Sequence, residues 1–431
     1  MSDVRAYRAA LVHFTADPRD AGEAACVHHA DGLLLVENGH VAACGAWSDL
    51  APTLARDIPV EHLPGRLLTP GFVDAHVHFP QTDIIGAAGG PLLGWLEHSA
   101  FPAERRFADP AHARDTAEAF LDELLRNGTT TAMVFGSVHR EATAVLFEAA
   151  LARNLRLIAG KSMMDLGPSG LDETCGTGRE DTECLIRDFG RRGRLGYAIT
   201  PRFALSSSDE QLAAAGELLA RHDHVWMQTH LAENPRELAL VAERFPDRRD
   251  YLDVYDRFGL VGPRSMFAHC IHMTDRALHR MAEAGAAVAH CPTSNLFLGS
   301  GLYDLARADA HGVRTALGSD VGAGTSFSIP RTAGIAAQVA RLRGADLDPL
   351  RALYLSTLGG ARALGLADRI GSFRIGAEAD FVALDPAATP LLARRTRTAA
   401  GLPDLLMAMM TLGDDRTVAN TWVAGVLRHQ R

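Results

Sequence analysis

Thr69-Pro70-Gly71-Phe72-Val73-Asp74-Ala75-His76-Val77-His78-Phe79-Pro80-Gln81 reads as a short buried strand that ends in a polar cluster. Pro70-Gly71 is a turn signal, and Phe72, Val73 and Val77 are strand formers. His76 and His78 stand two apart, so on a strand both imidazoles point to one face. Two convergent rings at a strand end suit zinc or a similar divalent ion, whose bonds to ring nitrogens are about 2 Å long. A bare His-x-His pair is weak in a chain with 19 histidines. A metal reading therefore needs further ligands from elsewhere in the chain.

The 431 residues suffice for two or three ordinary domains, or for one large barrel with an appendage. Apolar content of 47% and charged content of 22% are those of a globular protein in water. A net charge of −9 without any basic stripe argues against nucleic acid as a partner. Lys161 is the only lysine, so arginine carries nearly all the basic charge. No apolar run is long enough to span a membrane, and MSDVRAYRAA has no signal-peptide core. Cys26, Cys44, Cys175, Cys184, Cys270 and Cys291 lack C-x-x-C spacing, and a chain of this size needs no disulfide staples. A reduced, cytoplasmic setting is expected, with Cys270 and Cys291 as small core residues rather than nucleophiles.

Working outward from the quoted strand, apolar strand-like runs recur at residues 71–78, 129–136, 156–163, 196–203, 225–231, 265–270, 286–291 and 313–319. Amphipathic helical stretches at 111–126, 141–152, 209–221, 234–245, 275–284 and 331–341 separate several of them. Eight such alternating units predict an α/β fold of the (β/α)8 TIM-barrel type, whose chemistry sits at the C-terminal strand ends. The first 68 residues differ: 6–14, 32–37 and 40–44 are short strand-like runs broken by turns such as Asn38-Gly39. Similar patterning returns at 376–384 and 416–428. The expected division is 1–68 and 373–431 forming one composite β-sandwich, and 69–372 forming the barrel.

The polar residues collect where barrel chemistry requires them. Strand one ends in His76 and His78, and strand five in His230, with Glu233 three residues on. Strand six ends in His269 and strand eight in Asp320. Each alone has a bland explanation, as a core histidine, a helix cap or an exposed acid. Five sites at the same end of barrel strands are harder to dismiss. His76, His78, His230 and Asp320 supply ligands for one divalent ion that lowers the pKa of a bound water toward about 7. Asp320 can also take the water's proton, Glu233 can act as general acid and base, and His269 can steady the developing oxyanion. A two-metal centre bridged by a carbamylated lysine is disfavoured, since Lys161 lies on strand three rather than strand four. It reads as a structural or loop-anchoring charge.

These segments resemble the amidohydrolase superfamily and, within it, the guanine deaminases, over about residues 68–428. The resemblance rests on 70–83, on Ile199-Thr200-Pro201-Arg202-Phe203, and on Gln228-Thr229-His230-Leu231-Ala232-Glu233-Asn234. It continues in Ala289-His290-Cys291-Pro292-Thr293-Ser294-Asn295-Leu296 and Met410-Thr411-Leu412-Gly413-Asp414-Asp415-Arg416. What it implies is hydrolysis of the 2-amino group of guanine to xanthine and ammonia, one zinc per subunit (iron being the alternative) and a homodimer. It further implies that Gln81 and Arg202 meet polar edges of the purine with help from the Phe203 backbone. His78, His230, Glu233 and Asp320 would border the substrate, with Glu233 protonating N3.

Segments 97–102 and 166–170 depart from that family's pattern, in βα loops placed to form a lid. They keep open the alternative of another aminopurine, a nucleoside or a triazine as substrate. A non-catalytic barrel is the reading of a different class, and the intact ligand set argues against it. His290 reads as core or loop anchor, and Pro292–Asn295 as ordering the loop after strand seven. Gly322-Ala323-Gly324-Thr325 lacks the lysine of a phosphate-binding loop.

Overall fold

The structure is a computed structural model that describes residues 3–431. The chain opens with β1 (Val4–Phe14), β2 (Cys26–Glu37), β3 (His40–Ala46) and β4 (Val60–Pro70). All eight barrel runs then fold as strands. They are β5 (Phe72–His78), β6 (Thr129–Phe135), β7 (Arg156–Gly160) with its two-residue continuation β8 (Ser162–Met163), β9 (Gly196–Pro201), β10 (Trp226–Leu231), β11 (Ser265–His269), β12 (Ala287–His290) and β13 (Arg314–Leu317). β5, β6, β7, β9, β10, β11, β12 and β13 pair in parallel and in that order, as a (β/α)8 barrel requires. Their near-continuous apolar character follows from helices covering the outer face and side chains filling the interior.

Closure between β5 and the end of β13 is made by groups that also build the site. Asp320 N–H donates to the His76 carbonyl at 2.8 Å, and His78 N–H to the Val321 carbonyl at 2.9 Å. The buried Asp74 carboxylate accepts from Ser319 N at 3.0 Å, from Ser319 Oγ, and from His76 N at 3.2 Å. Gly318 lets the last strand approach, because a Cβ there would stand 2.9 Å from His76 Cβ.

The helices begin and end where their caps dictate. Asp109 caps Pro110–Arg126 by accepting from Ala111 N. Thr274 opens Asp275–Ala284, and Gly285, at φ 69°, closes it. Cys175–Phe189 is a helix that periodicity does not announce, since Gly176 and Gly178 weaken its first turn; Thr174 caps it instead. Segment 92–108 is a chain of short helical turns, Leu92–Trp95 and Phe101–Arg105 among them.

Beyond the barrel come β14 (Phe381–Leu384), β15 (Val418–Val423) and β16 (Val426–Gln430). Together with the first four strands they make one mixed sheet in the order β16-β15-β14-β4-β1-β2-β3, so both termini do build a common module. Phe381 stacks on Trp422 at 4.5 Å and meets Tyr7 edge-on at 5.0 Å in its core. β4 escapes a pattern reading because Pro64-Gly65 looks like a turn; the pairing register with β1 shifts across that point. The module docks at the N-terminal ends of β7 and β9, where Glu378 accepts from Arg156 Nε at 2.9 Å and Arg194 Nε at 2.8 Å. Arg194 also pairs with Asp380.

Candidate active site

The C-terminal ends of the barrel strands bring the predicted residues together. His76 Nε2 and His78 Nε2 are 3.2 Å apart, and His78 Nε2 and His230 Nε2 are 3.1 Å apart. Asp320 Oδ1 lies 3.2 Å from both His76 Nε2 and His78 Nε2. Four ligands about 2 Å from one ion at tetrahedral angles stand about 3.3 Å from each other, so this spacing is that of a metal's donor set. The protonation chemistry agrees. His230 Nδ1 faces the Arg202 carbonyl at 2.7 Å; a carbonyl only accepts, so the proton sits on Nδ1 and Nε2 offers its lone pair. Burial pushes the His78 imidazole down to about 4 and His230 well below its ordinary value, leaving neutral rings. Burial alone would raise the Asp320 carboxyl, but the neighbouring His76, His78 and His269 hold it well below the carboxylate range. His76, His78, His230 and Asp320 are thus fit to bind a metal ion.

Two site residues sit where an ordinary side chain is strained. His269 has φ 70° and Asp320 φ 51°, both in the left-handed region, His269 as the last residue of β11 and Asp320 three residues past β13. That backbone turn carries the chain out of the strand direction at both positions. His269 Nδ1 pairs with Asn295 Oδ1 at 2.9 Å. Its Nε2 is buried without a hydrogen-bond partner, 3.4 Å from Glu233 Oε2 and 3.8 Å from Asp320 Oδ2. Such an unsatisfied ring nitrogen beside two carboxylates suits a water or a reacting oxygen between them.

Glu233 is buried just past β10. Loss of solvent, followed by the charge of Asp320, pushes its carboxyl up to about 8. Ser300 Oγ donates to its Oε1 at 3.1 Å. Glu237 holds the backbone beneath it, accepting from Glu233 N at 3.0 Å and Asn234 N at 3.1 Å, with Tyr251 OH on its other oxygen at 2.8 Å.

A narrow cavity opens in front of these groups. Trp95, Leu96, Phe203 and Leu298 give it apolar walls, while Gln81 and Arg202 supply polar contacts. Neither Gln81 nor Arg202 is at the surface: both are buried. Arg202 Nη1 donates to both oxygens of Glu104 at 2.9 and 2.7 Å, and Gln81 Nε2 donates to Glu104 Oε1 at 2.9 Å.

Of the residues read as structural, Cys291 stands beside the site, its Sγ within 4.8 Å of ligand atoms of both His269 and Asp320. His290 packs on Tyr303 at 4.7 Å, with burial pushing it down to about 3. Burial drives the Cys270 and Cys291 thiols well above their ordinary value, which removes them as nucleophiles. Lys161 is buried against Glu173, anchoring the loop after β8. Three residues that serve the site were not singled out, Glu104, Glu237 and Ser300, while Asn295 was read as ordering the loop after strand seven. Of these only Glu237 leaves a signal, as the fourth residue of an Asn234-x-x-Glu237 capping box.

Residues 67–428 match the model of the amidohydrolase family. The chain belongs to that family. This amidohydrolase is 46% identical to guanine deaminase of Escherichia coli K12 over 402 residues, covering 93% of the chain and 92% of the relative. The solved structure of the E. coli enzyme superposes with a TM-score of 0.95 at 43% identity, covering 99% of both chains. Guanine deaminase from C. acetobutylicum, solved with guanine bound in its active site, superposes at 0.90 with 27% identity, covering 99% and 100%. An adenosine deaminase from Xanthomonas campestris with bound zinc superposes at 0.84 with 25% identity, covering 99% and 92%. Among the described residues of this amidohydrolase, no helix is long and apolar enough to cross a membrane.

Proposed function

We propose that this amidohydrolase is a guanine deaminase, hydrolysing the 2-amino group of guanine to give xanthine and ammonia. The observation that carries the reading is the lining of one cavity, which the Arg202 side chain shares with the donor cluster and Glu233. Arg202 uses Nη1 for Glu104, so the Nε–Nη2 edge is free for the ligand. Two parallel N–H donors match O6 and N7 of guanine. C2 lies across the ring from that edge, so a purine so held turns its 2-amino group toward the cluster.

The ion held by His76, His78, His230 and Asp320 would supply a water of lowered pKa at neutral pH. Zinc is the ion we infer, in view of three imidazoles and one carboxylate. Apolar walls from Trp95 and Phe203 exclude bulk water and keep the ring flat. Glu233 starts as the neutral acid, since its carboxyl is raised to about 8. It gives its proton to N3 as the water oxygen bonds to C2. The resulting carboxylate then takes both protons of that oxygen in turn. It passes the first to the amino nitrogen, which leaves as ammonia, and keeps the second, which restores the neutral acid. His269 Nε2 and Asp320 Oδ2 lie on either side of the entering oxygen's place and hold it in line.

The proposal extends to a cytoplasmic homodimer, supported by six cysteines that are all free thiols and by the likeness to guanine deaminases. It also extends to the division into 1–68 and 373–431 around a barrel of 69–372, which sheet membership supports except at the first join, where Thr69 and Pro70 pair with β14. The experiment is a product assay on metal-loaded enzyme with guanine, adenine, adenosine and an aminotriazine. Xanthine and ammonia from guanine, at the highest kcat/KM of the set, is the expected result. Faster turnover of a nucleoside or triazine would transfer the reading to that substrate class. Ultracentrifugation and metal analysis test the assembly and the ion.

A further inference from the structure

Behind the cavity wall lies Glu104, on the helix Phe101–Arg105 in the segment that joins β5 to β6. Its side chain is 1% exposed, and it takes three short contacts: Gln81 Nε2 at 2.9 Å and Arg202 Nη1 at 2.9 and 2.7 Å. Gln81 Oε1 in turn accepts from Gly322 N at 3.2 Å. Both ends of the Gln81 amide are therefore fixed, since a flip would set its oxygen against a carboxylate and its nitrogen against an N–H. The Phe101 ring, its centroid 5.4 Å from the Arg202 guanidinium carbon, lies against the fork and packs with Val138, Met164 and Leu171. A buried acid is costly unless its surroundings repay it, and this one is shared by the two side chains that face the ligand.

We propose that Glu104 is the positioning residue that sets the enzyme's preference for a 6-oxopurine, an inference that rests on the guanine deaminase reading. By holding Nη1, the carboxylate turns the other edge of the Arg202 fork into the cavity as two parallel donors. That edge pairs with O6 and N7 of a 6-oxopurine and opposes a 6-amino group, which is itself a donor. By balancing the guanidinium charge inside apolar walls, Glu104 also makes the pocket one for a neutral heterocycle. By fixing the Gln81 amide, it decides which of that side chain's atoms the ring meets. Glu104 touches no reacting atom; it acts through Arg202 and Gln81.

The test compares binding rather than turnover, by titration calorimetry of full-length, metal-loaded enzyme with xanthine, which carries O6, and 2-hydroxypurine, which lacks it. Glu104→Gln is nearly isosteric and removes the charge. It is expected to keep wild-type metal content and to weaken xanthine roughly 5- to 150-fold. 2-Hydroxypurine should move far less, so that the preference between the two collapses. A purely structural role would weaken both ligands alike, and that result, or an unchanged preference, overturns the proposal. If Glu104→Gln does not fold, Glu104→Asp keeps the buried charge with a shorter reach and should show the same collapse in smaller measure. Failure of the wild type to deaminate guanine would sink the deaminase reading separately, while the two affinities still judge Glu104.

Discussion

Glu233 shows how one side chain acquires its chemistry from what surrounds it. A carboxyl stripped of water and set near the Asp320 charge keeps its proton up to about pH 8. Glu233→Gln should retain the metal and lose roughly 10²- to 10⁴-fold in kcat, read by steady-state kinetics with metal analysis. His230→Ala should lose both ion and turnover. The Ser300 hydroxyl lowers the Glu233 carboxyl by bonding its charged form. Wild-type kcat/KM should therefore fall as pH rises through about 8, where the acid form disappears. Ser300→Ala moves that limb to higher pH; a limb that stays put or moves down would count against Glu233 as the acid. Neither Ser300 nor Glu104 was legible in the sequence. Their partners lie 67 and 98 residues away, at Glu233 and Arg202, and no periodicity encodes a contact of that kind.

At the scale of elements, far more could be read. Each barrel strand is an apolar run with both faces buried, and each candidate site residue stands within the run's last three positions or just beyond. His76, His78, His230, His269 and Asp320 could therefore be placed from spacing alone. What spacing cannot supply is the bond pattern between β5 and the close of β13, where Asp74 ties down Ser319 and His76. Asp74→Ala removes a buried acceptor from three donors, and a loss of about 3 kcal/mol in denaturant unfolding is expected. Because Asp320 follows Ser319 directly, metal affinity should also drop roughly 10- to 100-fold, measured by chelator competition. Unchanged affinity would mean that Asp320 is held by its backbone bond alone. β4 was missed for a local reason, since Pro64-Gly65 imitates a turn inside a strand.

On the scale of the whole molecule, the module of both termini is fastened far from the chemistry. Glu378 and Asp380 bond Arg156 and Arg194 at the opposite end of β7 and β9 from the cavity. Burial opposes ionisation of Glu378, but hydrogen bonding from Arg156 and the charge of Arg194 hold it below its ordinary value of 4.5. The sign follows from linkage: a depressed carboxyl contributes stability above its unfolded value and loses it as pH falls through the folded one. Calorimetric melting of the wild type should accordingly drop steeply below about pH 4.5, and less steeply in Glu378→Gln. Parallel slopes for the two proteins would argue that this junction contributes little.

The seam that closes the barrel has a consequence for synthesis. Asp74 and Ser319 are 245 residues apart, and the donor set draws on both sides of that join. A chain still emerging from the ribosome, or one cut short ahead of its final barrel strand, holds the histidines without their carboxylate. Binding of an ion by all four donors would therefore require that the last barrel strand has been made and docked against the first.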